Sequence, residues 1–588
     1  MDDLSRLERN LVEQVAPWDR FHGWAHGICV VTFDLELGQA IESVHPPHVA
    51  LGETDRTNIC YLAFPDSNSG VMGDSQFHFR IRLNQSADQT PRTAHLSKKS
   101  SVHKEFNRRC PNALQFDQDY LFGFAYFRQV KDASIRRGYY QKSVILLSKL
   151  PLITLFNQTV SVIARKFFDG GEVALEASCG DLDRWPLPMP GHALELPLMG
   201  NVFQIHLPSL STRSVESAGE TVSLSPDHGD LLPSYDEVDL FTCLLPVVDH
   251  LDLLWELVLT AEPMVVMAST PAICSSAVQF LTTIIYPFSY AADYRPFYTI
   301  HDSDFKEITA GGLASAPNAA PAASNSGNSS SSSSNNGSSN GGASSSPLLP
   351  NIMLGVTNPF FSKALSHWPH IVKLGDQGGN ALQGDRSPRS KGAAGAKKAK
   401  VSKFKMDCRP GVFSTSKPLL EKDKAVIKRI LKGVQLKRPA EVQSALIRRH
   451  YLELTQTFMI PLERHIAGLM PLARNISPYR AVPDVKTFSI DDFIASLESG
   501  GPQLTSSVKG DWEGLYRRFH RSPNFVSWYN QRHREMSQKL QLLHLESLSE
   551  AKIEIWDEIQ MLQAANLVFA TLATCTVHNK QCTTVICF

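Results

Sequence analysis

The chain has 588 residues, and its 58 Lys plus Arg balance 58 Asp plus Glu, so the formal net charge is zero. Hydrophobic content of 43% and aromatic content of 9% exclude a wholly disordered, collagenous or supercharged protein, and the length allows roughly four folding units. Charge is nonetheless uneven: Arg386 to Arg438 carries 17 Lys/Arg against 3 Asp/Glu, an excess of +14. The 10 cysteines are scattered without a C-x-x-C pair, which points to free thiols in the cytoplasm. The most apolar stretch, Leu240 to Met267, is interrupted by Asp249, Asp252, Glu256 and Glu262, too many charges for a membrane span.

Residues 1–20 read as a polar helical leader with no apolar run of the signal-peptide kind. From Phe21 the pattern turns to strands, opening a module expected to run over 21–208. Gly27 to Phe33 and Gln39 to Val44 are predicted as a hairpin around the turn at Asp34–Gly38. Phe77, Phe79, Ile81 and Leu83 alternate with His78, Arg80 and Arg82, the period of a half-buried strand. Leu121 to Phe127 and Tyr139 to Leu147 give a second hairpin, and Pro151 opens a helix through Phe168. Antiparallel strands followed by helices predict an α+β unit.

A linker over 209–232 leads to a second module, 233–380. Leu251, Leu254, Trp255, Val258 and Leu259 mark one helical face, with Asp249, Asp252 and Glu256 on the other. Met264 to Met267 is a short buried strand and Val278 to Tyr286 a further helix. The alternation predicts an α/β unit with a largely parallel sheet. Its Ser/Asn/Gly/Ala-rich stretch 311–350 reads as a disordered insertion rather than a boundary. A basic linker over 381–410 comes next, then an all-helical module over 411–560. In that module Pro439 opens a helix through Arg449, and Pro461, Pro471 and Pro478 punctuate the residues beyond it. Residues 561–588 form a divergent tail.

Phosphate-loop, dinucleotide-binding, nucleophile-elbow, zincin and kinase signatures are all absent. Cys575, His578, Cys582 and Cys587 are metal-ligand types, but their spacing matches no zinc template, so no metal site is predicted. The basic run from 386 to 438 contains only Phe404 and Phe413 as aromatics, too few for base stacking. Nucleic acid is therefore not an expected partner, whereas peripheral contact with anionic membrane is. His301, Asp302, Asp304 and Glu307 are concentrated after an aromatic segment. They read as a helix start capped by Asp302 or Ser303, or as an acidic functional cluster.

Several strings then resemble one family. Val31-Thr-Phe-Asp-Leu-Glu-Leu-Gly-Gln-Ala40, Asn58 through Gly70 and Tyr139-Tyr-Gln-Lys-Ser143 look like the upstream part of a DENN-domain protein. Tyr298 through Glu307, Leu354 through Phe361 and Trp368-Pro-His370 look like its core, while Leu454 through Glu463, Gly501 through Thr505 and Lys509 through Trp512 resemble its downstream helices. The match is nearest the B form of the sixth DENN-domain subgroup and covers roughly 21 to 556. The Ser/Asn insert, residues 84–118, 210–232 and 376–405, and the chain after about Trp556 depart from it.

The resemblance implies a tripartite fold: a longin-like upstream module, an α/β core and a helical downstream module. It implies a guanine-nucleotide exchange factor for a Rab GTPase of the endosomal recycling class, cytoplasmic and peripheral on recycling endosomes. The alternative is a non-exchanging adaptor or Rab effector. No covalent catalysis and no cofactor are expected, since GDP, GTP and Mg²⁺ belong to the partner. The predicted contact residues are Asp34 and Glu36, then Asp66, Ser67 and Asn68, then His301, Asp302, Asp304 and Glu307, and finally Asn358, Phe360 and Phe361. Phe360 and Phe361 read equally as core.

Overall fold

The computed structural model describes residues 18–34, 38–66, 72–83, 94–134, 138–209, 230–232, 240–309, 349–375, 409–478 and 480–550. Most of the leader, the Ser/Asn insert, the linker residues 210–229, the basic stretch 376–408 and the whole Cys-bearing tail lie outside these. Among the described residues no helix is long and apolar enough to cross a membrane.

The upstream unit is a five-stranded antiparallel sheet in the order β2-β1-β5-β4-β3. It is preceded by helix α1 (Asp19–Trp24) and built from β1 (Gly27–Asp34), β2 (Gly38–His45), β3 (Gly73–Arg82), β4 (Tyr120–Lys131) and β5 (Tyr139–Ser148). Phe21 is thus helical rather than the start of a strand, and its ring is buried against the sheet. Helix α2 (Glu53–Leu62) lies between β2 and β3, and α3 (Ala94–Arg109) between β3 and β4. Side chains alternate strictly on the central strands: Phe122, Phe124, Tyr126, Val144 and Leu146 enter one core, and Leu121, Ala125, Phe127, Ile145 and Leu147 the other. Helices α4 (Ile153–Gly170) and α5 (Glu172–Arg184) cover the first face. A small sheet of β6 (Ala193–Leu198), β7 (Asn201–His206) and β8 (Asp230–Leu232) comes after them, a hairpin and strand that the sequence reading missed.

The second sheet has the order β10-β11-β9-β12-β13. It begins after α6 (Leu240–Leu244), a 3₁₀ segment Leu245–His250 and α7 (Leu251–Leu259). Strand β9 (Met264–Met267) leads to α8 (Pro271–Thr283), then β10 (Asp293–Arg295), α9 (Phe305–Thr309), β11 (Ile352–Val356), α10 (Phe361–Ala364) and β12 (His370–Lys373). Helix α8 starts seven residues before the expected Val278, because Thr270 caps it and Pro271 occupies its first turn. The first four strands are parallel, as the buried apolar runs predict. Strand β13 (Gly411–Ser414) pairs antiparallel with β12. Residues 376–408 therefore connect two neighbouring strands of this sheet, and the helical part begins after 414 rather than at 411.

That part contains α11 (Lys424–Gln435), α12 (Ala440–Leu469), α13 (Ile490–Gly500), α14 (Trp512–His520) and α15 (Pro523–Ser549). Helix α12 runs twenty residues beyond the expected end at Arg449 and passes through Pro461. The lost backbone hydrogen bond is outweighed because Phe458, Leu462 and Ile466 around it are buried in the common core.

Two expectations fail for the same reason. His78 and Arg80 are buried, not solvated, because β3 packs its outward face against α8 and β10. Asp252 and Glu256 are likewise buried. Asp252 accepts from the Tyr451 hydroxyl at 2.8 Å and the Asp423 amide at 3.2 Å, and Glu256 accepts the Leu419 and Leu420 amides at 2.9 and 2.8 Å. Trp255 donates to Thr455 at 2.9 Å, while Asn524 donates to the Val258 and Leu259 carbonyls. Every face of α7 is thus occupied, and one hydrophobic core runs from it through α8 into α12, α14 and α15. Replacing Glu256 by Ala strands two buried amides, and a loss of about 2–4 kcal/mol in urea unfolding is expected; Glu256→Gln, which keeps one acceptor, should cost less.

Candidate functional site

The predicted contact residues come from distant stretches, and packing at the seam between the two sheets decides which of them meet. After β10 the chain passes Phe297, whose ring joins the upstream core against Phe77 at 5.4 Å. It then rejoins the second sheet, where the Tyr298 amide donates to the Gly355 carbonyl at 2.8 Å. A Cβ at position 355 would collide with the Pro296 carbonyl and crowd Cys274, so only glycine allows this approach. The aromatic segment ahead of His301 is therefore a turn held on the carboxyl end of β11.

From that turn, Ser303 and Asn58 of α2 exchange two hydrogen bonds, at 3.1 and 3.2 Å. The His301 ring stacks on Tyr61 at 4.6 Å. Thr357, just past β11, donates its hydroxyl to Asp66. Burial pushes the Asp66 carboxyl above its ordinary pKa, against the opposing pull of the Thr357 hydrogen bond and then the His301 charge. Asp66, the 301–307 turn and Asn358–Phe360 thus form one edge spanning both sheets. Phe33, one residue before Asp34, touches Phe64 at 6.3 Å, which brings the first hairpin toward the same edge. The Asp34 backbone pairs with Gly38. Glu36, Ser67 and Asn68 lie outside the described residues.

Not all members present themselves to a partner. Asp304 accepts from Arg295 at 3.0 Å and from the Tyr298 hydroxyl at 3.1 Å, and it stands directly before α9, the start expected at Asp302 or Ser303. Asp302 is buried, with one carboxylate oxygen lacking any partner among the described residues. Phe361 is fully buried against Tyr298 and Phe305, whereas Phe360 is 50% exposed. Asp302 and Phe361 are thus buried, and half-buried Asp304 is spent on Arg295 and Tyr298, so the turn uses all three internally. His301, Glu307 and Phe360 are exposed, and Asp66 and Asn358 half-buried. Asn58, Tyr61, Arg295 and Thr357 escaped sequence reasoning, since no local spacing links them.

A separate cavity of about 690 Å³ opens where the two sheets meet the helices, between Arg80, Tyr120, Gln279 and Gln531. None of the predicted residues lines it. Across this region Asn112 and Gln531 exchange amide hydrogen bonds at 2.8 and 2.9 Å. Among the described residues no cluster of His, Cys, Asp and Glu has the geometry of a metal site.

Comparison with known proteins places this architecture. Residues 25–176 match the family model Transport protein Avl9, and residues 139–301 match the DENN (AEX-3) domain. Protein DENND6A of Gallus gallus is 45% identical over 569 residues, which span 95% of this chain and 87% of that protein. The chain belongs to the DENND6 family. Protein DENND6B of Homo sapiens is also 45% identical, over 92% of this chain and 84% of that protein, so identity does not single out the B form. The Dictyostelium discoideum DENND6 homolog is 31% identical over 90% and 73% of the respective lengths. The DENN match ends at His301, in the seam itself and ahead of the Ser/Asn insert.

Burial, and then the Asp304 charge, push the Asp302 carboxyl from 3.8 up to about 7. Its folded pKa thus exceeds the unfolded value, so the folded chain holds a proton that the unfolded chain has released between about pH 4 and 7. Stability from this group is therefore lost as pH rises through that window. Asp302→Asn, whose amide can donate to Asp304 as the protonated acid does, should flatten the pH profile of thermal unfolding and stabilise the chain at pH 8 by about 1–3 kcal/mol.

Proposed function

We propose that this DENND6-family protein is a guanine-nucleotide exchange factor for a Rab GTPase of the endosomal recycling class, acting from the cytoplasm at recycling endosomes. The observation that carries the reading is the seam. Exposed Phe360, His301 and Glu307, with half-buried Asp66 and Asn358, are drawn from both sheets and held by half-buried hydrogen bonds. Such an edge suits a protein partner better than a small substrate, because its contact groups stand outside and its polar scaffold inside. Nucleotide and Mg²⁺ belong to the GTPase, and no bond is made or broken by this chain.

The chemistry is linkage. A small GTPase holds GDP and Mg²⁺ through switch loops whose order depends on the nucleotide. Preferential binding of the nucleotide-free form weakens GDP binding by the same factor, and equal affinity for both forms shifts nothing. In this reading Phe360 inserts against a displaced switch. Glu307 competes for the basic and Mg²⁺-facing groups that the leaving nucleotide uncovers.

Release of fluorescent GDP from a panel of purified Rab proteins tests this. Acceleration of a recycling-class Rab, absent for unrelated Rabs, supports exchange; binding without acceleration of any Rab points to an adaptor. Phe360→Ala should slow release tenfold or more, about 1.4 kcal/mol, with an unchanged unfolding midpoint. Phe361→Ala should instead cost about 3–5 kcal/mol of stability.

A further inference from the structure

We propose that α11, with the groove beside it, docks on an anionic lipid bilayer. The basic run expected to be a linker is not one element: residues 376–408 lie outside the described structure, 411–414 form β13 and 424–435 form α11. On α11 the apolar side is turned inward, with Ile430 and Gly433 buried and Val426, Ile427 and Val434 half-buried. The outward side carries Lys424, Lys428, Arg429 and Lys432, all exposed. Lys422 precedes the helix, and Lys437 and Arg438 come after it. Among the described residues none of these seven cations has an ion-pair partner. Between Lys422 and Arg438 the acid present is Asp423, which is used as the helix cap, accepting the Ala425 and Val426 amides.

Four of the lysines face one groove of about 870 Å³, where Lys422, Lys424, Lys428 and Lys432 oppose Asp249 and His250. Burial, and next the Lys422 charge, hold the His250 imidazole below its ordinary pKa. The groove thus gathers four positive charges against one carboxylate. Leu431 lies in the same groove and is 39% exposed, and Leu436, directly after the helix, is 57% exposed. Exposed leucines among unpaired lysines do nothing for a soluble phosphate, whereas a bilayer interface takes both: lysines at the headgroups, leucines beneath them.

The docking is independent of nucleotide exchange, so its failure would leave GDP release in solution untouched. Sedimentation of the purified full chain with vesicles tests it. Partition onto phosphatidylcholine containing phosphatidylserine, absent for phosphatidylcholine alone and lost in high salt, is expected. Changing Lys424→Gln, Lys428→Gln and Lys432→Gln together should weaken partition on the order of a hundredfold, with GDP release in solution unchanged. A companion variant neutralises Lys397, Lys398 and Lys400. If partition depends on those three and survives the α11 changes, α11 is not the docking surface. No partition of the wild-type chain, with capture only by an acidic polypeptide or a soluble polyphosphate, also overturns the proposal. Hydrogen exchange of the wild-type chain gives a reading free of folding effects in variants: slowed exchange over 422–438 on anionic vesicles is expected, and unchanged exchange there refutes it.

Discussion

Two guanidinium groups buried at one junction impose the relation between the sheets. Arg80, on the edge strand of the upstream sheet, lies over the Tyr120 ring at 3.4 Å and the Tyr294 ring at 4.2 Å, and reaches Asp293 of β10 at 3.1 Å. Asp293 also takes three hydrogen bonds from the Arg295 guanidinium, which in turn holds Asp304. Removing a single partner from such a set leaves an uncompensated buried charge, a loss of about 3–5 kcal/mol in comparable cases. The arrangement therefore tolerates one geometry: β3 beside β10, and the 301–307 turn folded back over β11. The exposed edge that includes His301 and Phe360 is a consequence of satisfying those charges.

A second consequence concerns rigidity. Asp252 of α7 holds the amide of Asp423, the cap of α11, while Asp249 and His250, just before α7, wall the lysine groove. Helix α7 leads directly into β9, and β9 pairs with β11, whose carboxyl end bears Thr357 through Phe360. A continuous set of packed elements thus joins the basic helix to the seam, with a shared hydrophobic core beneath. Close-packed interiors transmit displacement rather than absorb it. On the two proposals above, a membrane-anchored GTPase and a seam docked through α11 would accordingly meet in a fixed orientation.

The legible parts of the sequence were those where one local period governs. Both hairpins of the first sheet, the strand at Met264–Met267 and the parallel character of the second sheet arise from alternation and apolar runs that depend on near neighbours. The illegible parts required a surface supplied from elsewhere. His78 and Arg80 read as solvent-facing because α8, which covers them, lies nearly two hundred residues away. Asp252 and Glu256 read as the wet side of a helix because their partners, Tyr451 and the Leu419–Leu420 amides, come from the helical part. The site divides the same way. Resemblance located the segments, but the separation of Phe360 from Phe361, or of Glu307 from Asp304, depends on which side chain the turn consumes in holding itself together.

That division bears on how the proposed exchange would arise at an exposed edge. Pre-organised binding edges gain affinity by having lost their flexibility before the partner arrives. Here Asn58–Ser303, Tyr61–His301 and Thr357–Asp66 fix the edge from three directions without using Phe360 or Glu307. The same polar pairs keep the edge from closing on itself, because Asn58, Asp66 and Asp304 are already engaged with donors of the scaffold. On the proposed reading, an edge of this kind would bind a reshaped switch loop at little ordering cost, and the free energy left over is what linkage would set against the grip of the GTPase on GDP.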